Sequence, residues 1–272
     1  MSHIQIANVL TIAGSDSGGG AGIQADIKAI SATGSYACSV ITALTAQNTQ
    51  GVTGIYPVSP DFIEQQLDAV FTDIDISAVK VGMLAQTEVI QAVVKKLKQY
   101  QPQFLVIDPV MVATSGDLLL QSSAIQTLKT ELLPLADVIT PNLPEAATLL
   151  GVPVPNSEPE MVEMISGLRQ LGCKAVLLKG GHLESEADST DLLITADSVE
   201  TFTVKRINTQ NTHGTGCTLS SAIASYLTQS KSLIEAVTKG KAYISNAIAH
   251  ADELNVGKGH GPVHHFFDQS VK

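Results

Sequence analysis

Tryptophan is absent from the chain, and aromatics make up only 4% of its 272 residues. Any sizeable core must therefore be aliphatic and rich in alanine, and an apolar content of 44% is enough to build one. That composition suits a parallel sheet whose strands are buried on both faces by helices. Cysteine is scarce too. Cys38, Cys173 and Cys217 lie far apart and form no C-x-x-C pair, which argues against a disulfide framework or a structural zinc site. Reduced thiols in the cytoplasm are the simpler expectation. Lys and Arg number 16 against 26 acidic residues, a formal charge of −10, so the clustered basic residues that a nucleic-acid partner needs are missing. A nucleotide ligand stays open, because backbone N–H groups and a metal can carry its charge locally. No apolar run reaches the length of a membrane span. The apolar segment 4–13 has no basic residues before it and runs into glycines, so it reads as a first strand and not as a signal peptide.

What is present is an alternation. Short apolar runs at 9–13, 37–44, 78–81, 104–107, 138–140 and 175–178 read as buried strands. Helical spacing fills the gaps at 23–30, 60–72, 87–100, 122–133, 161–171 and 233–254, with Phe62, Ile63, Leu67, Val70 and Phe71 expected inward in the second of these. Residues 52–58 read as a short edge strand, and 191–195 with 199–205 as an antiparallel pair at the sheet edge. Residues 184–189 are acidic and read as an exposed loop. The polar connection 153–159 is too short to divide two domains, and no repeat or low-complexity block interrupts the chain. The expectation is one α/β domain over 1–272, an open and mostly parallel sheet with helices on both faces.

The chain is organised around Asn211-Thr212-His213-Gly214-Thr215-Gly216-Cys217-Thr218, which lies between the β-rich run 199–207 and the small-residue apolar run 219–226. Strand, glycine turn and helix start leave backbone N–H groups unpaired at a positive dipole end, a ready anion site. The glycines let the backbone approach a ligand, and Cys217 would project from the first helical turn beside the anion. In isolation the motif also fits an ordinary glycine turn with a small buried Cys.

Other strand ends add to it. Gly14-Ser15-Asp16-Ser17-Gly18-Gly19-Gly20-Ala21-Gly22 follows the first strand and opens a helix, yet is neither a Walker A nor a clean G-x-G-x-x-G. A Gly/Ser run is usually a linker, but loops at the C-terminal ends of strands in such sheets are where ligands bind. Gln47 is a bidentate partner for a heteroaromatic ring or a plain loop amide. Met83 is a wall for a flat ligand or core filler. Asp108 is a metal or ligand holder, or a turn residue before Pro109. Asn142 and Glu145 have the spacing of a capping box. Lys179 precedes two glycines and is a phosphate point charge or a solvated lysine. The histidines of 258–265 lack metal-ligand spacing. Taken together these groups supply what phosphoryl transfer needs. Oxygens of Asp108, Asn142 and Glu145 suit Mg²⁺ held through waters, Lys179 neutralises phosphate, and the N–H groups of 214–217 receive the γ-phosphate charge.

The whole set resembles the ribokinase-like small-molecule kinases, and within them the hydroxymethylpyrimidine/phosphomethylpyrimidine kinases of thiamine biosynthesis. The matching segments run in order along nearly the whole chain: 13–26, 45–49, 80–83, 108–111, 140–145, 179–182, 211–220 and 259–262. The resemblance implies a ribokinase-like sheet without a large separate lid, use of ATP and Mg²⁺, and phosphorylation of 4-amino-5-hydroxymethyl-2-methylpyrimidine to its monophosphate and then its diphosphate. It assigns Gly14, Asp16, Gly20, Ala21, Asp26 and Gln47 to the pyrimidine pocket, with Met83 and Val110 packing on the ring. It assigns Asp108, Asn142, Lys179, Thr212, Gly214, Gly216 and Val237 to ATP, and Asp108 with Glu145 to the metal. Cys217, Gly214, Thr215, Gly216 and Lys179 form its catalytic set. The adenine is expected between the segment from Ile207 and the helix near Val237 and Ala242. Most ribokinase relatives carry Asp where Cys217 stands, and Cys is typical of the thiamine branch. One departure is His264-His265 in place of Asn-His, which bears on the packing of the tail. A pyridoxal kinase, alone or as a dual activity, is the alternative, and a non-catalytic vitamin-precursor-binding regulator a lesser one. A cytoplasmic homodimer, joined near the apolar positions of 52–58, is the expected assembly.

Overall fold

The computed structural model describes residues 6–111, 122–183 and 188–269. The strands are β1 (Asn8–Asp16), β2 (Tyr36–Asn48), β3 (Gly51–Pro57), β4 (Ile76–Val81), β5 (Phe104–Ile107), β6 (Val138–Ile139), β7 (Ala175–Lys179), β8 (Asp188–Thr195) and β9 (Val199–Lys205). Between them run the helices α1 (Gly22–Ala32), α2 (Pro60–Phe71), α3 (Thr87–Tyr100), α4 (Ser122–Thr127), α5 (Leu143–Leu150), α6 (Glu158–Glu163), α7 (Ile165–Arg169), α8 (Thr215–Leu227) and α9 (Leu233–Ala249). The strands form one sheet in the order β3-β2-β1-β4-β5-β6-β7-β8-β9. Pairing is parallel from β2 through β7, and antiparallel at β2–β3, β7–β8 and β8–β9.

The order of travel sets where a ligand can sit. From β1 the chain moves to β2 and β3 on one side, then returns to β4 on the other. The loops leaving β1 and β4 therefore diverge and open a crevice at their C-terminal ends, the topological switch point of such sheets. Strand alternation sorts the core into two layers. Leu10, Ile12, Val79, Val81 and Ile107 pack with α2, α3, α5 and α7 on one face. Val9, Ala78, Val106 and Leu177 pack with α8 and α9 on the other. Each fully buried Leu, Ile or Val contributes about 1.5–3 kcal/mol, and the buried members of both layers include no aromatic, though Phe71 packs against one and Phe104 and Phe202 against the other.

Several expectations shift in detail. β2 runs on through Thr45 and Gln47 to Asn48, because its outer half pairs with the edge strand β3. In α2 only Ile63 and Leu67 are buried, and Phe62 is 54% exposed. The helix expected over 122–133 becomes α4, a π-turn (Leu128–Leu132) and a 3₁₀ turn (Leu133–Leu135), since Pro134 cannot donate to a continued α-helix. The helix expected over 161–171 starts earlier, at the Ser157 cap, and divides into α6 and α7. The last helix stops at Ala249, before a 3₁₀ turn (Ala251–Glu253). Of the acidic loop, 184–187 lie outside the described residues.

Candidate active site

Four helix starts in this fold are closed by a side chain. Ser59, Asn142, Ser157 and Ser232 each accept a backbone N–H at the head of α2, α5, α6 and α9. α8, like α1 and α3, has no side-chain cap, and its N-cap is Gly214, at φ 79°. A Cβ at Gly214 would run into the carbonyl of Gly20, so the turn is open only to glycine on both conformational and steric grounds. The first N–H groups of α8 thus face the crevice with their positive dipole end. A Cβ built on Gly216 would lie 3.2 Å from Lys179 Nζ and 3.4 Å from Asp108 Oδ2, so helix start, lysine and carboxylate meet at one point.

Around that point the charges are coupled. Lys179 Nζ donates to Asp108 Oδ1 at 3.0 Å, and Thr140 Oγ1 donates to the same oxygen at 3.0 Å. Asn142 and Glu145 make a complete capping box: Asn142 N donates to Glu145 Oε2 at 2.8 Å, and Glu145 N to Asn142 Oδ1 at 2.8 Å. Burial pushes the Glu145 carboxyl up to about 7, with Asp108 adding to the effect and Lys179 opposing it. Burial works against charge on Lys179, but Asp108 and Glu145 outweigh it and hold the ammonium above its ordinary value. The Cys217 thiol is pushed up to about 11, chiefly by burial; Lys80 pulls the other way, while Asp26 and Asp108 reinforce the rise. Burial therefore prevails over the helix end, and the thiol is neutral near pH 7.

The other end of the crevice is organised by Asp16. Its carboxylate accepts the N–H groups of Gly18 at 2.7 Å, Gly20 at 3.0 Å and Ala21 at 2.9 Å, folding the glycine loop around itself. His213 Nε2 lies 2.9 Å from Asp16 Oδ2, which ties the glycine loop to the motif that starts α8. The tail clamps the same place, with His213 N donating to the Gly261 carbonyl at 3.0 Å. Farther along the tail, His265 Nε2 pairs with Thr218 Oγ1 at 2.9 Å, and burial pushes its imidazole down to about 4, so the C-terminal histidine is a packing residue. Asp16, Ala21 and His213 face one cavity of about 1050 Å³ that runs from Gly14, Gln47, Met83 and Val110, past 214–217, to Ile207, Ile244 and Ile248.

A family model described as phosphomethylpyrimidine kinase matches residues 16–264. The chain belongs to the phosphomethylpyrimidine kinase family. It is 54% identical over 263 residues to the hydroxymethylpyrimidine/phosphomethylpyrimidine kinase of Salmonella typhimurium, covering 97% of this chain and 98% of that relative. The crystal structure of phosphomethylpyrimidine kinase from Clostridium difficile 630 superposes with a TM-score of 0.78 at 45% identity, covering 89% of this chain and 99% of the other. Bacillus subtilis pyridoxal kinase, solved as an ADP complex, superposes with a TM-score of 0.88 at 34% identity over 96% and 98% of the two chains. Membership makes this chain a phosphotransferase that uses ATP on a small molecule. Among the described residues no helix is long and apolar enough to cross a membrane.

Within this phosphomethylpyrimidine kinase family fold, most residues expected at the site line the cavity: Gly14, Asp16, Ala21, Gln47, Met83, Asp108, Val110, Asn142, Glu145, Lys179, Thr212 and 214–217. Three do not. Asp26 is fully buried beneath the floor, where Lys80, Thr11 and Ser221 use up its carboxylate. Gly20 is covered by the His213 ring, which fills the space a Cβ would need. Val237 is 1% exposed in the core under α8, and α9 instead presents Lys241, Ile244, Ser245 and Ile248 to the cavity, one turn and more farther along the same stripe. Ala242 is exposed on the far side. Sequence reasoning missed Lys80, the buried cation that faces the cavity above Asp26, and the Lys241–Asp191 pair at the other end. A signal for Lys80 existed: a lysine inside the apolar strand run Ile76–Val81 must find a carboxylate.

Asp108 and Glu145 fit a magnesium ion in one way only. Among the described residues no three His, Cys, Asp or Glu side chains gather at a point, so an all-protein cage is excluded there. Magnesium bound with nucleotide needs just one or two carboxylates, its remaining ligands being waters and phosphate oxygens.

Proposed function

We propose that this chain phosphorylates the hydroxymethyl group of 4-amino-5-hydroxymethyl-2-methylpyrimidine with ATP and then phosphorylates the resulting monophosphate, yielding the diphosphate for thiamine biosynthesis. The observation that carries the reading is the joining of two unlike subsites in one cavity. The uncapped α8 start, Lys179 and Asp108 suit phosphate; Gln47, Met83 and the loop folded on Asp16 suit a flat polar ring. Gln47 takes the ring edge, and Met83 and Val110 its faces. The N–H groups of 214–217 and Lys179 receive the charge that develops on the transferring phosphoryl, an arrangement worth roughly 3–4 kcal/mol per donor in a dry site. Cys217, protonated near neutrality, orients the acceptor oxygen rather than standing ready as a thiolate base. Asp108 and Glu145 would hold Mg²⁺, which when bound neutralises phosphate charge. The unit is a single domain in the cytoplasm, and it pairs with a second copy through the β3 side, where Leu44, Ile55 and Tyr56 are exposed.

Pyridoxal phosphorylation is the second reading, favoured by the 0.88 TM-score to a pyridoxal kinase. A coupled ADP-release assay on one preparation decides between them. The proposal expects kcat/KM for the aminopyrimidine alcohol to exceed that for pyridoxal by orders of magnitude; the reverse ranking would overturn it.

A further inference from the structure

Lys80 and Asp26 form an ion pair in which neither side chain is exposed, yet of the two only the lysine reaches the cavity. The Lys80 ammonium donates to Asp26 Oδ1 and Oδ2, both at 2.9 Å. The carboxylate also accepts from Thr11 Oγ1 at 2.6 Å and from Ser221 Oγ at 2.8 Å. An ammonium has three hydrogens. Asp26 engages two, and among the described residues no other acceptor bonds the third. Burial opposes charge on Lys80, but the carboxylates of Asp26 and Asp108 outweigh it and hold the ammonium above its ordinary value. The tip of this side chain lies where the two subsites meet. On the ring side, a Cβ built on Gly82 would fall 2.7 Å from Lys80 Nζ, which sets the ammonium against the turn leading to Met83. On the phosphate side, Cys217 and Ser221 are four residues apart on α8 and share a face. The bond from Ser221 to Asp26 therefore seats the ion pair one turn below Cys217. The pair is a dipole, with its positive end toward the cavity and its negative end in the core.

We propose that Lys80 is a specificity-determining residue for the second transfer: its remaining N–H takes a phosphate oxygen of the pyrimidine monophosphate and sets that acceptor's affinity apart from the alcohol's. The inference rests on the reading of the cavity as a site that phosphorylates one pyrimidine twice. The first acceptor is a neutral hydroxyl, which gains at most one hydrogen bond from the floor. The second is a phosphate with roughly two negative charges near pH 7, brought up against the γ-phosphate of ATP. In that reading the α8 N–H groups and Lys179 already serve the γ-phosphate, so the incoming anion needs a cation of its own. Lys80 supplies it from below, between the ring pocket and the α8 start. Charge-assisted bonds of this kind are the strong ones, and the alcohol has no charge with which to use it. Lys80 keeps its proton throughout; it holds an anion and transfers nothing.

The test is calorimetric titration of the whole chain, saturated with Mg²⁺ and a non-hydrolysable ATP analogue so that a γ-phosphate occupies its place. The alcohol and its monophosphate are titrated separately, and the ratio of their Kd values is the readout. Lys80→Met combined with Asp26→Asn removes the positive end without orphaning a carboxylate. This double variant should weaken the monophosphate by about tenfold or more and the alcohol by less than about threefold. Lys80→Met alone leaves the Asp26 charge beneath the site, so it should weaken the monophosphate further still. If that single variant does not fold, the double variant decides the matter. Both ligands weakened alike in the double variant, or neither, would make Lys80 a structural part of the floor and overturn the inference. A wild-type chain that binds and phosphorylates pyridoxal and neither pyrimidine would instead overturn the functional reading beneath it.

Discussion

Replacing Lys80 with methionine keeps the length of the side chain and removes its charge. In the folded protein Lys80 Nζ lies 2.9 Å from both oxygens of Asp26, and neither side chain is exposed. The remaining donors to that carboxylate are the hydroxyls of Thr11, at 2.6 Å, and Ser221, at 2.8 Å. Lys80→Met would leave a buried carboxylate with two neutral donors and no countercharge. Removing one partner of a buried pair costs about 3–5 kcal/mol; the two hydroxyls put this case near about 3. For a chain of this size that corresponds to a Tm lower by roughly 10 °C. The damage would reach the site, because the four groups join β1, β4, α1 and α8, and Ser221 stands on the helix whose start is proposed to receive phosphate. Adding Asp26→Asn removes the orphaned charge while an amide oxygen still accepts, so the double variant should recover more than half of the loss. With no tryptophan to report, urea unfolding followed by circular dichroism is the assay. The reasoning fails if Lys80→Met unfolds at the wild-type urea midpoint, or if the double variant is less stable than the single one.

Three other outcomes follow from the same site. Lys179→Met should cut kcat by about 10²–10³ and affect KM for the pyrimidine little; a change confined to that KM would place the lysine at the wrong subsite. Cys217→Ala should lower kcat strongly with ATP affinity retained, and iodoacetamide labelling of Cys217 should be slow at pH 7 and accelerate toward its titration at about 11; rapid labelling at neutral pH would contradict a protonated thiol. Glu145 titrates at about 7 against an ordinary 4.5. The folded state therefore binds the proton more tightly than the unfolded one. Its contribution to stability is present below pH 4.5 and lost as pH rises to 7, up to about 3 kcal/mol in metal-free buffer. Glu145→Gln should flatten that slope, which denaturant midpoints across the window would reveal.

Local chemistry made much of this site legible before any coordinates. The Asn142 and Glu145 spacing encodes a capping box in four residues, and the structure contains both of its bonds. Gly214 marks a turn that only glycine can make, and the apolar runs of β5 and β7 lead to Asp108 and Lys179. What was not legible depends on long-range register. Asp26 and Lys80 are 54 positions apart, and only the pairing of β1 with β4 and the seat of α1 bring them together beneath the cavity. Val237 lies on the same stripe of α9 as Ile244 and Ile248, so periodicity alone could not say which turn reaches past α8. Phe62 follows helical phase poorly because α2 buries a narrow stripe, Ile63 and Leu67, against α3 and leaves the rest to solvent.

The central claim is that one cavity phosphorylates the same pyrimidine twice. Phosphorus NMR of the purified chain with ATP, Mg²⁺ and 4-amino-5-hydroxymethyl-2-methylpyrimidine tests it most directly. The monophosphate resonance should rise first and then give way to a diphosphate pair, and Lys179→Met should suppress both steps together. Accumulation of ADP with no phosphorylated pyrimidine, or a monophosphate that never proceeds, would contradict the account.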